Sequence, residues 1–125
     1  MHKLSSTYDK RLIGTWQSDR RRTMGEWIYA RRRTPKRRKQ IADIFGHLTL
    51  RFTRSRLHSE FKGHRDVQEY KVVASDSDSV AIVHWNGLLE ERRIQHIHFE
   101  GEYYWIALGR NREFFRQQKA ANKTV

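Results

Sequence analysis

The sequence predicts a mainly β domain, an antiparallel meander with two short basic helices inserted after its first strand. Three observations carry that expectation. From Gly46 onward, short segments rich in β-branched and aromatic residues alternate with turn residues about every ten positions, the rhythm of sequential hairpins rather than of alternating strands and helices. Residues 23–45 break that rhythm with helical spacing. A chain of 125 residues holds one domain, large enough to fold around a single core without disulfides or metals.

Eight strands are expected. The first covers about Arg11–Ser18, and the others run roughly His47–Thr53, Arg56–Lys62, Val67–Ser75, Val80–Trp85, Arg93–Phe99, Tyr103–Gly109 and Glu113–Gln117. Turn residues separate them at Gly63, at Asp76-Ser77-Asp78, at Asn86-Gly87, at Glu100-Gly101 and over Gly109–Asn111. Links this short imply hairpins between neighbours.

The helical stretch divides in two. Thr23 and Glu26 have capping-box spacing, and Met24, Trp27 and Ile28 then share one helical face. Thr34-Pro35 places an N-cap before a proline at the first helical position; Ile41, Ile44 and Phe45 form an apolar stripe, and Gly46 suits the stop. The second helix is therefore expected over Pro35–Phe45. In both, the apolar stripe is expected to rest on the sheet while Arg31, Arg32, Arg33 and Lys36–Lys39 face water.

Charge is concentrated in the same place. Between Arg20 and Lys39 stand ten basic residues and a single acid, Glu26, so this stretch supplies +9 of a net charge of +12. Such a local excess attracts anions, whether nucleic acid, anionic lipid, acidic protein or a small anionic molecule. The absence of cysteine excludes a disulfide framework, a thiolate nucleophile and a cysteine-based zinc site. Residues 1–118 read as one domain and 119–125 as a loose polar tail. Met1–Lys10 has no apolar run of signal-peptide length and no stretch of about 18 apolar residues occurs, so a cytoplasmic protein without a membrane span is expected.

Leu12-Ile13-Gly14-Thr15-Trp16 resembles the first-strand Gly-x-Trp motif of the calycin group, the lipocalins and fatty-acid-binding proteins. The layout is similar too, with a helical pair after the first strand and then an antiparallel meander. The resemblance implies an up-and-down barrel of about eight strands, or a strongly curved sheet, around a ligand cavity. It also implies that Trp16 closes one end beneath an arginine of the last strand, Arg116 first and Arg112 second, a contact that stabilises the fold and says nothing of ligand. The Arg-x-Tyr pair that holds a carboxylate in fatty-acid-binding proteins is missing near this C-terminus, so the resemblance does not imply a fatty acid.

Three histidines fall on neighbouring strands. His96 and His98, two apart, share a sheet face. A two-residue turn at Glu100-Gly101 sets His98 against Tyr103 and His96 against Trp105, and an Asn86-Gly87 connection that aligns His84 with His96 completes a face of His84, His96, His98, Tyr103 and Trp105. The opposite face, with Val83, Trp85, Ile97, Phe99, Tyr104, Ile106 and Leu108, is the more apolar. Either that face fills the barrel and the histidines point outward, or the histidines line a cavity, where they orient a ligand or hold zinc, iron, copper or haem.

Catalysis finds little support: there is no phosphate-cradling glycine loop, no Gly-x-Ser-x-Gly elbow and no His-Glu-x-x-His helix, and Glu90 and Glu91 fall in a hairpin loop. The expectation is a binding module for a small apolar or amphipathic molecule, neutral or anionic, with the helices as lid or end cap. Tyr70, Trp85, Tyr104 and Trp105 would line the cavity, and Arg31 and Arg32 would meet an anionic head group. The alternatives are nucleic-acid or other polyanion binding through Arg31, Arg32, Arg33, Lys36, Arg37, Arg38 and Lys39, and a metal site at His84, His96 and His98. No cofactor is implied, and a monomer and a homodimer both fit the sequence.

Overall fold

The computed structural model describes residues 8–29, 33–86 and 90–119; Arg31, Arg32, Gly87 and the expected tail beyond Lys119 lie outside the described residues. Ten elements follow in order: β1 (Gly14–Ser18), α1 (Arg20–Gly25), α2 (Pro35–Ala42), β2 (Leu48–Phe52), β3 (Arg56–Phe61), β4 (His64–Ser75), β5 (Ser79–Asn86), β6 (Glu91–Glu100), β7 (Tyr103–Leu108) and β8 (Asn111–Gln118). Each strand pairs antiparallel with the next, and β8 returns to β1, so the sheet closes into a barrel rather than stopping at a curved sheet. Closure removes both free edges. No helix among the described residues is long and apolar enough to cross a membrane.

Alternation along the strands divides the barrel wall into an inner and an outer face. At the lower end, where β1 begins, the inner face is solid. Leu12, Trp16, Phe52, Leu57, Tyr70, Val80, Ile82, Ile97, Tyr104 and Phe115 form one buried cluster. Trp16 sits 4.8 Å, centroid to centroid, from Tyr104, which stacks on Phe115 at 5.0 Å. The indole Nε1 donates to the Leu12 carbonyl at 2.9 Å, so its polar edge is satisfied inside the apolar cluster. Gly14 enters β1 at φ +131, a conformation that side-chain-bearing residues rarely adopt, which accounts for the glycine two residues before the buried tryptophan.

The expected arginine cover is not Arg116. Arg116 opposes Gln17 and Tyr103 on the outer face and pairs with Glu102 at 3.5 Å, because its position in β8 has opposite parity to the inward Phe115 and Gln117. Arg112 also faces out, over the Trp105 ring at 4.8 Å. The arginine at the lower end comes from the segment before β1: Arg11 lies 4.8 Å over the Phe99 ring and is held by Asp9 and by the carbonyls of Asp76 and Ser77.

Both helices differ from expectation. α1 starts three residues before Thr23, because the Asp19 carboxylate caps it by accepting from the Arg22 backbone N–H. Thr23 is buried instead, and its Oγ1 accepts from the Phe114 N–H at 2.9 Å. α1 thus braces the outside of β8, with the Arg22 guanidinium 4.2 Å over the Phe114 ring; it is not a lid. α2 is capped by Thr34 as expected but ends at Ala42, and buries none of its own residues. Ile28 and Ile44, expected against the sheet, are 55% and 57% exposed, while Phe45 is buried beside Trp27.

Two consequences are measurable by urea denaturation. Phe114→Ala costs about 3 to 5 kcal/mol although Phe114 is on the outer face, because α1 encloses it. Asp19→Ala costs about 1 kcal/mol through the lost cap, whereas Arg116→Ala stays within about 0.5 kcal/mol; a large loss at Arg116 would restore it as the cover of Trp16.

Candidate functional site

The inner face changes character toward the upper end, where β1, β3, β5 and β7 finish. Eight strands enclose a lumen that side chains either fill or leave wide enough for one small ligand. Here Leu48, Leu50, Ser59, Gln68, His84, Gln95, Ile106 and Glu113 all point inward by register, yet every one of them is only half-buried. Leu48, Leu50 and Ile106 pack against the buried cluster that holds Ile82, Ile97 and Tyr104, and are less fully enclosed than it is. The side wall is weakest between β6 and β7, which pair only over His98–Glu100 and Tyr103–Trp105.

Two titratable groups face this space. Glu113 opposes Ile106, and burial pushes its carboxyl above the ordinary value of 4.5, opposed by a hydrogen bond from Ser18. Ser18 Oγ donates to Glu113 Oε2 at 2.8 Å and accepts from the Gly46 N–H at 3.0 Å, tying β8, β1 and the entry to β2 together. His84 opposes Tyr70, and its Nδ1 lies 2.9 Å from Gln68 Oε1. Burial lowers its pKa below 6.5, with a hydrogen bond at the Trp85 backbone acting against and the Arg93 charge acting with it.

The expected histidine face is split. His84 opposes Arg93 rather than His96, an odd-numbered slip that turns His84 inward and leaves His96 and His98 outside. Among the described residues no three His, Asp or Glu side chains gather closely enough to hold a metal ion. His98 opposes Trp105 rather than Tyr103, since the turn is Gly101-Glu102, and stacks on it at 3.9 Å with the rings 11° apart. His96 rests beside His98 at 4.1 Å, with its Nε2 2.9 Å from Ser79 Oγ. Burial, and the neighbouring His96, lower the His98 pKa.

No family model matches the chain. No curated protein and no solved structure matches it either. The chemistry of the site therefore has to be read from its own residues.

Of the four aromatics expected around a cavity, two point inward and two outward. Tyr70 and Tyr104 belong to the packed core, 2% and 1% exposed, and burial pushes the Tyr70 phenol up to about 12. Trp85 and Trp105 face outward. Glu91 belongs to β6, opposite Asn86, rather than to a loop. Of the second arginine triplet Arg33 is described: it is half-buried, and its Nε is enclosed without a hydrogen-bond partner among the described residues. On α2, Lys36, Arg37 and Arg38 are exposed and form no ion pair among the described residues, Lys39 pairs with Asp43, and Arg38 lies 4.6 Å over the Tyr29 ring.

Ser18 and Glu113 went unmarked in the sequence. Arg112-Glu113-Phe114-Phe115 places a phenylalanine on each face, so alternation alone does not say which side Glu113 takes.

Stability should follow pH accordingly. A carboxyl raised above its ordinary value favours the folded state at low pH and ceases to do so as pH rises through its folded value; a depressed histidine favours it above 6.5 and ceases as pH falls through its folded value. Glu113→Gln therefore raises stability relative to the unaltered protein at pH 7–8, and the gain shrinks toward pH 4. His84→Gln removes part of the loss on acidification below about pH 6.5. Urea midpoints across pH check both.

Proposed function

We propose that the protein is a lipocalin-like, non-enzymatic binding module that takes a small apolar or amphipathic molecule into the upper half of its barrel. One observation supports this reading: eight inward side chains toward the upper end, from Leu48 to Glu113, are only half-buried and most of them are polar or charged, whereas the core cluster below them is buried and apolar. An inert barrel would gain by filling that lumen with apolar groups, since inward polar groups cost free energy unless fully bonded. Mixed lining by Leu48, Leu50, Ile106, Gln68, His84, Gln95 and Glu113 suits a ligand with an apolar body and a polar end. Apolar residues also surround the mouth: Phe61 and Leu108 are 41% and 37% exposed at the ends of their strands, and Ile28 is fixed there by paired hydrogen bonds to the Asn111 side chain.

A neutral naphthylamine dye should brighten on binding and be displaced by dodecyl amphipaths. Leu50→Arg, which places a charge in the lumen, should abolish the signal while circular dichroism stays unchanged. An undiminished signal in that variant would locate the dye elsewhere.

A second reading rests on α2. An eight-residue helix is marginal alone, and cations in its first turn oppose the helix dipole, so Lys36, Arg37 and Arg38 weaken the element that carries them. Electrostatic binding of nucleic acid gives those cations a use. Affinity for generic DNA at low salt should then fall steeply with added salt and disappear on replacing Lys36, Arg37, Arg38 and Lys39 with alanine; affinity that survives the replacement removes the reading.

A further inference from the structure

Within the proposed lumen, one inward carboxyl has no counter-charge among the described residues. Glu113 is inward and half-buried, in a chain with 26 lysines and arginines, yet no described cation lies within ion-pair distance of it. Ser18 occupies its Oε2. Its Oε1 accepts no hydrogen bond among the described residues; the one arginine at an inward register position toward this end, Arg93 opposite His84, pairs with Glu91 at 3.8 Å.

We propose that Glu113 anchors the polar end of the ligand, and that this end is a hydrogen-bond donor, an alkyl amine or primary amide, rather than a carboxylate. The inference rests on the lumen being the binding site. An ammonium supplies the missing counter-charge and a charge-assisted hydrogen bond to Oε1, the stronger class of such bonds. A primary amide supplies the hydrogen bond alone. A carboxylate in the same place meets like charge. The positive charge of the surface does not reverse this order, because the basic residues of α1 and α2 stand outside the wall and their field is screened beyond about 8 Å at physiological ionic strength. Burial raises the Glu113 pKa, and an ammonium beside it would bring it back down.

The test is displacement of the naphthylamine dye near neutral pH by dodecylamine, dodecanamide and dodecanoate, each below its micelle concentration. The amine should displace at a concentration lower than the carboxylate by about tenfold or more, with the amide between them. Glu113→Gln should weaken the amine about tenfold and leave the amide within about twofold, since glutamine keeps an acceptor but no charge. A merely structural Glu113 would move all three ligands together. Net charge favours the carboxylate at any other surface site, so preference for the amine reports this carboxyl specifically, and that comparison stands even if the variant folds poorly. Displacement by dodecanoate as readily as by dodecylamine overturns the inference and leaves the lumen reading intact. Failure of the dye and all three amphipaths to bind overturns both.

Discussion

The ring contacts of Trp16, Tyr104 and Phe115 hold the first strand of the chain against its last two. β8 pairs with β7 on one side and β1 on the other, so this is where a linear meander becomes a closed barrel. An open sheet of the same strands would expose two edges and one apolar face. Closure at the lower end leaves the upper lumen without the same obligation to pack. The inner face can therefore change from Phe52, Ile97 and Tyr104 to Leu50, Gln95 and Glu113 within a few residues of each strand.

The outer face follows a separate logic. α1 covers Phe114 from outside, and ion pairs join its two ends to the barrel: Arg22 of α1 pairs with Glu100 of β6, and its cap residue Glu26 with Arg112 of β8. Those partly exposed pairs add little stability singly, but they fix the helix over β8. α2 is tied to α1 only at its C-terminal end, where its cap residue Asp43 pairs with Arg20 at 3.6 Å, and Lys36, Arg37 and Arg38 form no ion pair among the described residues. Charge is thus spent on structure around α1 and left unspent on α2, which is why the two basic helices support different readings.

The barrel was legible in the sequence because its signals are local: alternation, turn residues at regular spacing and Gly14 before Trp16. The Thr34 cap and the shared sheet face of His96 and His98 were legible for the same reason. What escaped depended on register. A slip of three residues between β5 and β6 reversed the assignment of His84 and Trp85, and parity in β8 decided against Arg116 and for Glu113. The start of α1 was misplaced because Thr23 and Asp19 both offer capping oxygens, and only the burial of Thr23 against Phe114 shows which one caps. A choice between a filled barrel and an open one was not legible, since the same inward leucines and glutamines serve either.

Methyl chemical shifts, followed by NMR during titration with dodecylamine, test the lumen reading most directly. Leu48, Leu50 and Ile106 should shift saturably and together, with Val80 and Leu57 in the sealed lower end nearly still. Shifts confined to outward or rim methyls such as Ile94, Val73 and Ile44, or no saturable shift anywhere, would contradict a ligand site inside the barrel.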